Sequence, residues 1–182
     1  MRIAVLTTAI PERLHLLAEC CASVRDQTLQ PTAHLIGLDY PHVGNIANLN
    51  ALARHADDAG CDWLMPLADD DLLYPDHLAT LASAEGDVRY SYCDVEGRDW
   101  NPNRPFDPES LRRGNYIPAT ALIRTSLARD LGWWREDAAH GFEDWRFWLD
   151  ALDAGAQFTC IPVVTWRYRF LGNNLSLGGV YA

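Results

Sequence analysis

Apolar residues in this chain recur in short runs and spaced series, and the two patterns alternate. Ile3 to Leu6 is an aliphatic and β-branched run that reads as a first strand, closed by Thr7-Thr8-Ala9-Ile10-Pro11. Pro11 suits the first turn of a helix, and within Glu12 to Asp26 the residues Leu14, Leu17, Cys21 and Val24 share one helical face. Pro31 resets the chain before Ala33 to Asp39, a second apolar strand ending in an acid. After Pro41 and Gly44, the series Ile46, Leu49, Leu52, Ala53 and Ala56 predicts a second amphipathic helix, with Gly60 as its stop. A third apolar run, Cys61 to Met65, leads into Pro66-Leu67-Ala68-Asp69-Asp70-Asp71.

The second half is less regular. A helix is expected over Pro75 to Ala84, and the alternation and aromatics of Val88 to Val95 predict a strand. Asp99 to Pro105 is rich in turn formers and reads as an exposed loop. Ala119 to Arg124 reads as a strand and Ser126 to Leu131 as a short helix. Gly141 opens a helix that carries Trp145, Trp148, Leu149 and Leu152 on one face and ends at Gly155. Two closing strands are expected, Ala156 to Ile161 and Val163 to Phe170. Strands alternating with helices make a right-handed, mostly parallel α/β sheet flanked by helices, in one domain. Such sheets bind ligands outside the carboxyl ends of their strands, where Thr7, Thr8, Asp39 and Asp69 to Asp71 all fall.

Composition narrows the function. At 182 residues with 48% hydrophobic and 22% charged residues, the chain reads as one globular domain. No apolar stretch approaches the roughly 18 residues of a transmembrane helix, and no signal peptide precedes the first strand, so a cytoplasmic protein without a membrane segment is expected. A net charge of -10 excludes the basic footprint that nucleic acids or anionic membranes require. All 15 basic residues are arginine, which removes P-loop and Schiff-base lysine chemistry together. The five cysteines show no C-x-x-C spacing and the six histidines no H-E-x-x-H, so neither a zinc site nor a disulfide framework is indicated.

Three adjacent carboxylates at a strand end repel one another and lose hydration if covered. A hard divalent ion such as Mn²⁺ or Mg²⁺ takes oxygen ligands and would relieve that cost, whereas a solvated acidic turn would need no ion. Glu143 and Asp144 stand in a helix's first turn, where the macrodipole favours acids whatever their role. The tryptophans Trp133, Trp134, Trp145 and Trp148 suit a core, and a ring face can equally pack on the apolar face of a sugar.

Four segments, in order, resemble those of glycosyltransferase family 2, inverting enzymes of the GT-A fold. They are Ser23 to Thr28, Leu67 to Leu78, Gly141 to Leu149 and Trp166 to Arg169. The resemblance spans roughly residues 2 to 176 and implies a single GT-A-type domain. Its Rossmann-like half, 1–80, would bind a nucleotide sugar. A smaller half with antiparallel strands, 81–182, would hold the acceptor and the catalytic base.

By the resemblance, Thr7, Thr8 and Asp39 hold the base and ribose, and Asn50 is a further donor contact. Asp70 matches the metal-binding acid of the D-x-D motif, with Asp71 as a second metal candidate and Asp69 as a nucleotide contact. Asp144 matches the general base with Glu143 beside it, and Arg167 and Arg169 would reach the diphosphate. The chain departs from the family where Ala68 replaces the first motif acid and Leu49 a basic residue. No histidine follows the last strand, over Phe170 to Asn174.

The implied activity is metal-dependent, inverting transfer of a sugar from a nucleoside-diphosphate sugar to an acceptor hydroxyl on a saccharide, protein or polymer, with a UDP-sugar favoured. Glu143 and the acidic loop are expected to raise the Asp144 pKa. Two other readings stand beside it: a metal-dependent nucleotidyltransferase, and a sugar-nucleotide-binding module without catalysis.

Overall fold

Strand β1 (Ile3–Ala9) is buried on both faces, which dictates what covers it. In the computed structural model, which describes residues 1–40, 44–136 and 142–171, its side chains alternate between two cores. Ile3 and Val5 join Cys20 and Val24 of α1 (Leu14–Arg25) on one side. Ala4 and Leu6 join Leu49, Ala53 and Ala56 on the other, from α2 (Asn45–Asp58). Period-two alternation thus puts one helix on each face of a central parallel strand.

Parallel partners flank β1: β2 (Ala33–Leu38) on one side and β3 (Trp63–Ala68) on the other. Beyond them come β4 (Leu72–Leu73), α3 (His77–Ala82), β5 (Val88–Glu96) and α4 (Pro108–Arg113). The chain continues through β6 (Leu122–Arg124), α5 (Thr125–Asp130), α6 (Glu143–Asp153) and β7 (Phe158–Arg169). The strands make one seven-stranded sheet in the order β2-β1-β3-β6-β5-β7-β4. β6 runs antiparallel to both β3 and β5, β4 runs antiparallel to β7, and β5 pairs β7 in parallel. The α/β class and mostly parallel sheet expected from the pattern are present, and the two halves of the chain share that one sheet. No helix among the described residues is long and apolar enough to cross a membrane.

Several boundaries differ from those expected. Pro11 opens a short 3-10 turn (Pro11–Arg13), and α1 follows it with Leu17, Cys20 and Val24 inward. Leu14 is 48% exposed, and Cys20 rather than Cys21 points into the core. Both cysteines fit the apolar series, and packing against β1 and β4 chose between them. The helix after Pro75 starts only at His77. On α6 the buried set is Phe147, Trp148 and Ala151, with Trp145, Leu149 and Leu152 partly buried at the margin of the same core.

The two closing strands are one. β7 passes through Pro162, and its register on β5 jumps from Ser91 opposite Ile161 to Tyr92 opposite Val164. Pro162 therefore sits in an irregularity, where its missing N–H breaks no ladder bond. Gly60 ends α2 in the left-handed region (φ +75°), with Cys61 N–H donating to the Ala56 carbonyl. Pro41, Gly141 and 172–174 lie outside the described residues.

Candidate active site

The carboxyl ends of β1, β2 and β3 converge on one side of the sheet because the three strands are parallel. Asp39 follows β2, is 7% exposed, and accepts the Gly44 N–H at 3.1 Å just before α2. The Thr8 hydroxyl donates to Asn45 Oδ1 at the start of α2, and Asn45 Nδ2 lies 3.4 Å from Glu143 Oε1. That chain of contacts ties the end of β1 to the first turn of α6.

After β3 the backbone turns at once, with Asp71 N–H donating to the Ala68 carbonyl at 3.2 Å. Asp69, Asp70 and Asp71 are only 3%, 4% and 4% exposed, so the loop is not a solvated acidic turn. Two arginines offset its charge. Arg13 Nη2 lies 3.0 Å from Asp69 Oδ1 and also pairs with Asp70 Oδ2. Arg169 donates its backbone N–H to Asp71 Oδ1 at 3.2 Å, its Nε to the Asp70 carbonyl and its Nη1 to Glu19. Burial pushes the Asp69 pKa up to about 6, with Asp70 adding to the rise and Arg13 opposing it. Burial and the neighbouring Asp70 hold Asp71 well above the usual carboxylate range.

Across the cavity, α6 opens with Glu143 and Asp144. Asp144 Oδ1 accepts the Trp145 N–H at 2.6 Å and Oδ2 accepts Asn115 Nδ2 at 2.9 Å. Its pKa rises to about 7. The main cause is burial of the carboxyl group, and Glu143 contributes less. Desolvation, rather than repulsion from Glu143 and the acidic loop, therefore dominates, which corrects the expectation from sequence. A carboxylate poised near neutrality can take up a proton at working pH.

These groups line one cavity of about 560 Å³, a size ordinary for a small-molecule site. Thr8, Asp39, Asp69, Asp70, Asp71, Glu143 and Asp144 all contribute to its wall. Aromatic rings close another part of it: Trp100 and Tyr168 meet edge to face with centroids 6.0 Å apart. The stretch from Asp99 to Pro105, expected as an exposed loop, supplies Trp100 and Asn103 to this wall. Asn103 is fastened there by bonds to the Cys93 N–H and carbonyl, 2.8 Å each.

Four expected site residues lie elsewhere. Thr7 is fully buried on the opposite face of β1 from Thr8, and its hydroxyl pairs with His34 Nε2 at 2.9 Å. Asn50 clamps the backbone of Trp134, donating Nδ2 to the carbonyl at 2.8 Å and accepting the N–H at 3.0 Å. On β7 the cavity-facing residues are Trp166 and Tyr168, so alternation turns Arg167 and Arg169 away. Arg167 pairs with Asp94 at 3.0 Å and Glu96 at 3.2 Å. Arg169 braces the acidic loop from behind.

The sequence pattern does not single out Arg13, Asn45 or Asn115. Arg13 stands just past the first strand end, which is a weak signal, and nothing in the local pattern marks Asn115.

Among the described residues no group of three or more histidine, cysteine, aspartate or glutamate side chains is arranged to hold a metal. Asp70 lines the cavity with its carboxylate paired to Arg13, and Mg²⁺ characteristically takes one or two carboxylates and completes its shell with water and substrate phosphates. Any such ion would have to draw most of its shell from water and substrate phosphates and would compete with Arg13 for Asp70.

No protein-family model matches the chain, and no curated protein sequence matches it. Solved structures do. Residues 1–349 of S. aureus TarS in complex with UDP-GlcNAc superpose with a TM-score of 0.74 at 13% identity, over 99% of this chain and 62% of that one. TarS 1–349 itself gives 0.72 at 13% identity, over 93% and 60%. The catalytic domain of Drosophila β1,4-galactosyltransferase 7 in complex with xylobiose gives 0.58 at 17% identity, over 87% and 64%. The chain thus spans about three fifths of the length of these structures and shares their GT-A-type fold.

Proposed function

We propose that this chain transfers a sugar from a nucleoside-diphosphate sugar to an acceptor hydroxyl with inversion at the anomeric carbon. One observation carries the reading: Asp144, with its pKa near 7, faces the same cavity as the acidic loop at the strand ends. The UDP-GlcNAc complex of TarS, which shares the fold, makes a UDP-sugar the first donor to try. Thr8 and Asp39 stand at the nucleoside end. Asp70 would hold a Mn²⁺ or Mg²⁺ ion, with Asp71 braced behind it. When bound, that ion supplies positive charge for the departing diphosphate.

Asp144 accepts the acceptor's proton as the hydroxyl oxygen bonds to the anomeric carbon. The bond from that carbon to the diphosphate oxygen breaks, and its electron pair leaves with the diphosphate. Asn45 holds Glu143 beside the base. The acceptor enters along the Arg98 to Ile117 wall, where Trp100 offers a ring face.

The test incubates the protein with a panel of nucleotide sugars and Mn²⁺ or Mg²⁺, with a chelator control, and measures released nucleoside diphosphate. Release that needs the ion, and that vanishes in Asp144→Asn while nucleotide binding persists, supports the proposal. Normal turnover in that variant removes Asp144 from its role. The pairing of Arg13 with Asp69 and Asp70 favours a second reading, a binding module that needs no ion. Nucleotide binding without turnover is its signature.

A further inference from the structure

α4 and the segment that follows it towards β6 are fastened to α6 by two indole groups. Trp145 Nε1 donates to the Leu111 carbonyl at 2.7 Å and Trp148 Nε1 to the Ile117 carbonyl at 3.1 Å. Leu111, Ile117 and Trp148 are all fully buried, so both anchors are set in the core. Asn115 lies between the two anchors, and its Nδ2 meets Asp144 Oδ2 at 2.9 Å. An ionised carboxylate only accepts hydrogen bonds, so the amide must present its NH₂ group to it. Asn115 Oδ1 is left buried in the cavity wall without a partner among the described residues, as is Glu143 Oε2.

We propose that Asn115 is the positioning residue of this site, held by the tryptophan anchors so that it fixes the Asp144 carboxylate in one orientation and in its ionised form. This rests on reading Asp144 as the base. The amide bonds the ionised carboxylate more strongly than the neutral acid, which keeps only a weaker acceptor, so the contact favours the charged form. Its spare oxygen and that of Glu143 are acceptors, suited to the O–H groups of an incoming polyhydroxyl acceptor and unsuited to an anion.

The charged and titratable groups on the surrounding elements are few. Glu143 precedes Asp144 on α6 and raises its pKa, whereas Asn115 lowers it. Tyr116 follows Asn115, but its hydroxyl is committed to the Asp107 carbonyl at 2.9 Å, and Arg104 lies over its ring at 5.1 Å. Further along α6, Arg146 is paired with Asp150, and Asp153 with Arg112 of α4.

The experiment follows the Asp144 side-chain carboxyl carbon by ¹³C NMR through a pH titration of the full chain, in wild type, Asn115→Ala and Asn115→Asp. No substrate is needed. Removing one hydrogen bond to an ionised group should raise the Asp144 midpoint by about one pH unit or more in Asn115→Ala. The isosteric Asn115→Asp should raise it at least as far, since it also adds a like charge. A midpoint within about 0.3 units of wild type in a folded variant overturns the proposal at the precision of such titrations. Should the alanine variant fail to fold, the aspartate variant decides alone. The base reading is tested separately: an active Asp144→Asn would sink it whatever the midpoint, and an unmoved midpoint would sink the positioning role while leaving the base in place.

Discussion

Replacing Arg13 by glutamine tests whether the acidic loop is held by charge or by packing. In the intact protein Asp69 is 5% exposed on its side chain, and its pKa stands at about 6 against an ordinary 3.8. The rise means that the folded protein holds this proton more tightly than the unfolded chain. The resulting cost to stability is absent below the unfolded pKa, grows as pH rises from about 4 to about 6, and is fully present above that. At its full extent the cost is about 3 kcal/mol.

Arg13 already opposes that rise, so the glutamine variant must bear a larger cost. Removing one partner from a buried ion pair costs about 3–5 kcal/mol, a large share of a domain's usual stability of about 5–15 kcal/mol. The loss should be close to that at pH 8, where Asp69 is ionised. It should shrink towards pH 5, where a protonated Asp69 no longer needs a counter-ion. Urea denaturation followed by circular dichroism at both pH values gives the comparison. Equal losses at pH 8 and pH 5, or a loss under about 1 kcal/mol at pH 8, would refute a role that acts through the charge of Asp69.

Two further outcomes follow from the same geometry. Asp144 must be ionised to accept a proton, so the rate of nucleoside diphosphate release should rise with pH, with a midpoint near 7, and level off above it; a flat rate from pH 5 to 8 would exclude Asp144 as the base. Trp148 is fully buried, packs against Phe147 and Phe158 at centroid distances of 5.3 and 6.4 Å, and holds the Ile117 carbonyl. Trp148→Ala should cost about 3–5 kcal/mol in chemical denaturation, and a loss under about 1.5 kcal/mol would mean that the core closes over the gap.

The fold was legible where one signal sufficed. The aliphatic run Ile3 to Leu6 is a strand buried on both faces, and the spacing of Leu49, Ala53 and Ala56 is a helix lying on it. Two such strand–helix steps already required a parallel sheet, and with it a site at the ends of β1, β2 and β3. Less was legible where two neighbours were chemically alike. Thr7 and Thr8 are the same residue, yet a half-turn of the strand sends one into the core beneath the sheet and the other into the cavity. Arg167 and Arg169 read as partners for a diphosphate, but a second register shift, between Tyr92 opposite Val164 and Cys93 opposite Trp166, changes the phase of β7, and Trp166 and Tyr168 face the site instead.

The acidic run Asp69-Asp70-Asp71 shows where the division falls. Its place after an apolar strand, in a chain of alternating strands and helices, is local information, and the sequence by itself determined that these carboxylates stand at the mouth of a parallel sheet. Whether they are bare, solvated or paired depends on residues distant in the chain. Arg13 comes from the turn after β1 and Arg169 from the end of β7, just as Asn115 reaches Asp144 from a segment anchored on α6. Periodicity records which side of an element a residue occupies. It does not record which distant side chain arrives at the same point, and that meeting sets the burial and the charge balance on which Asp69 and Asp144 depend.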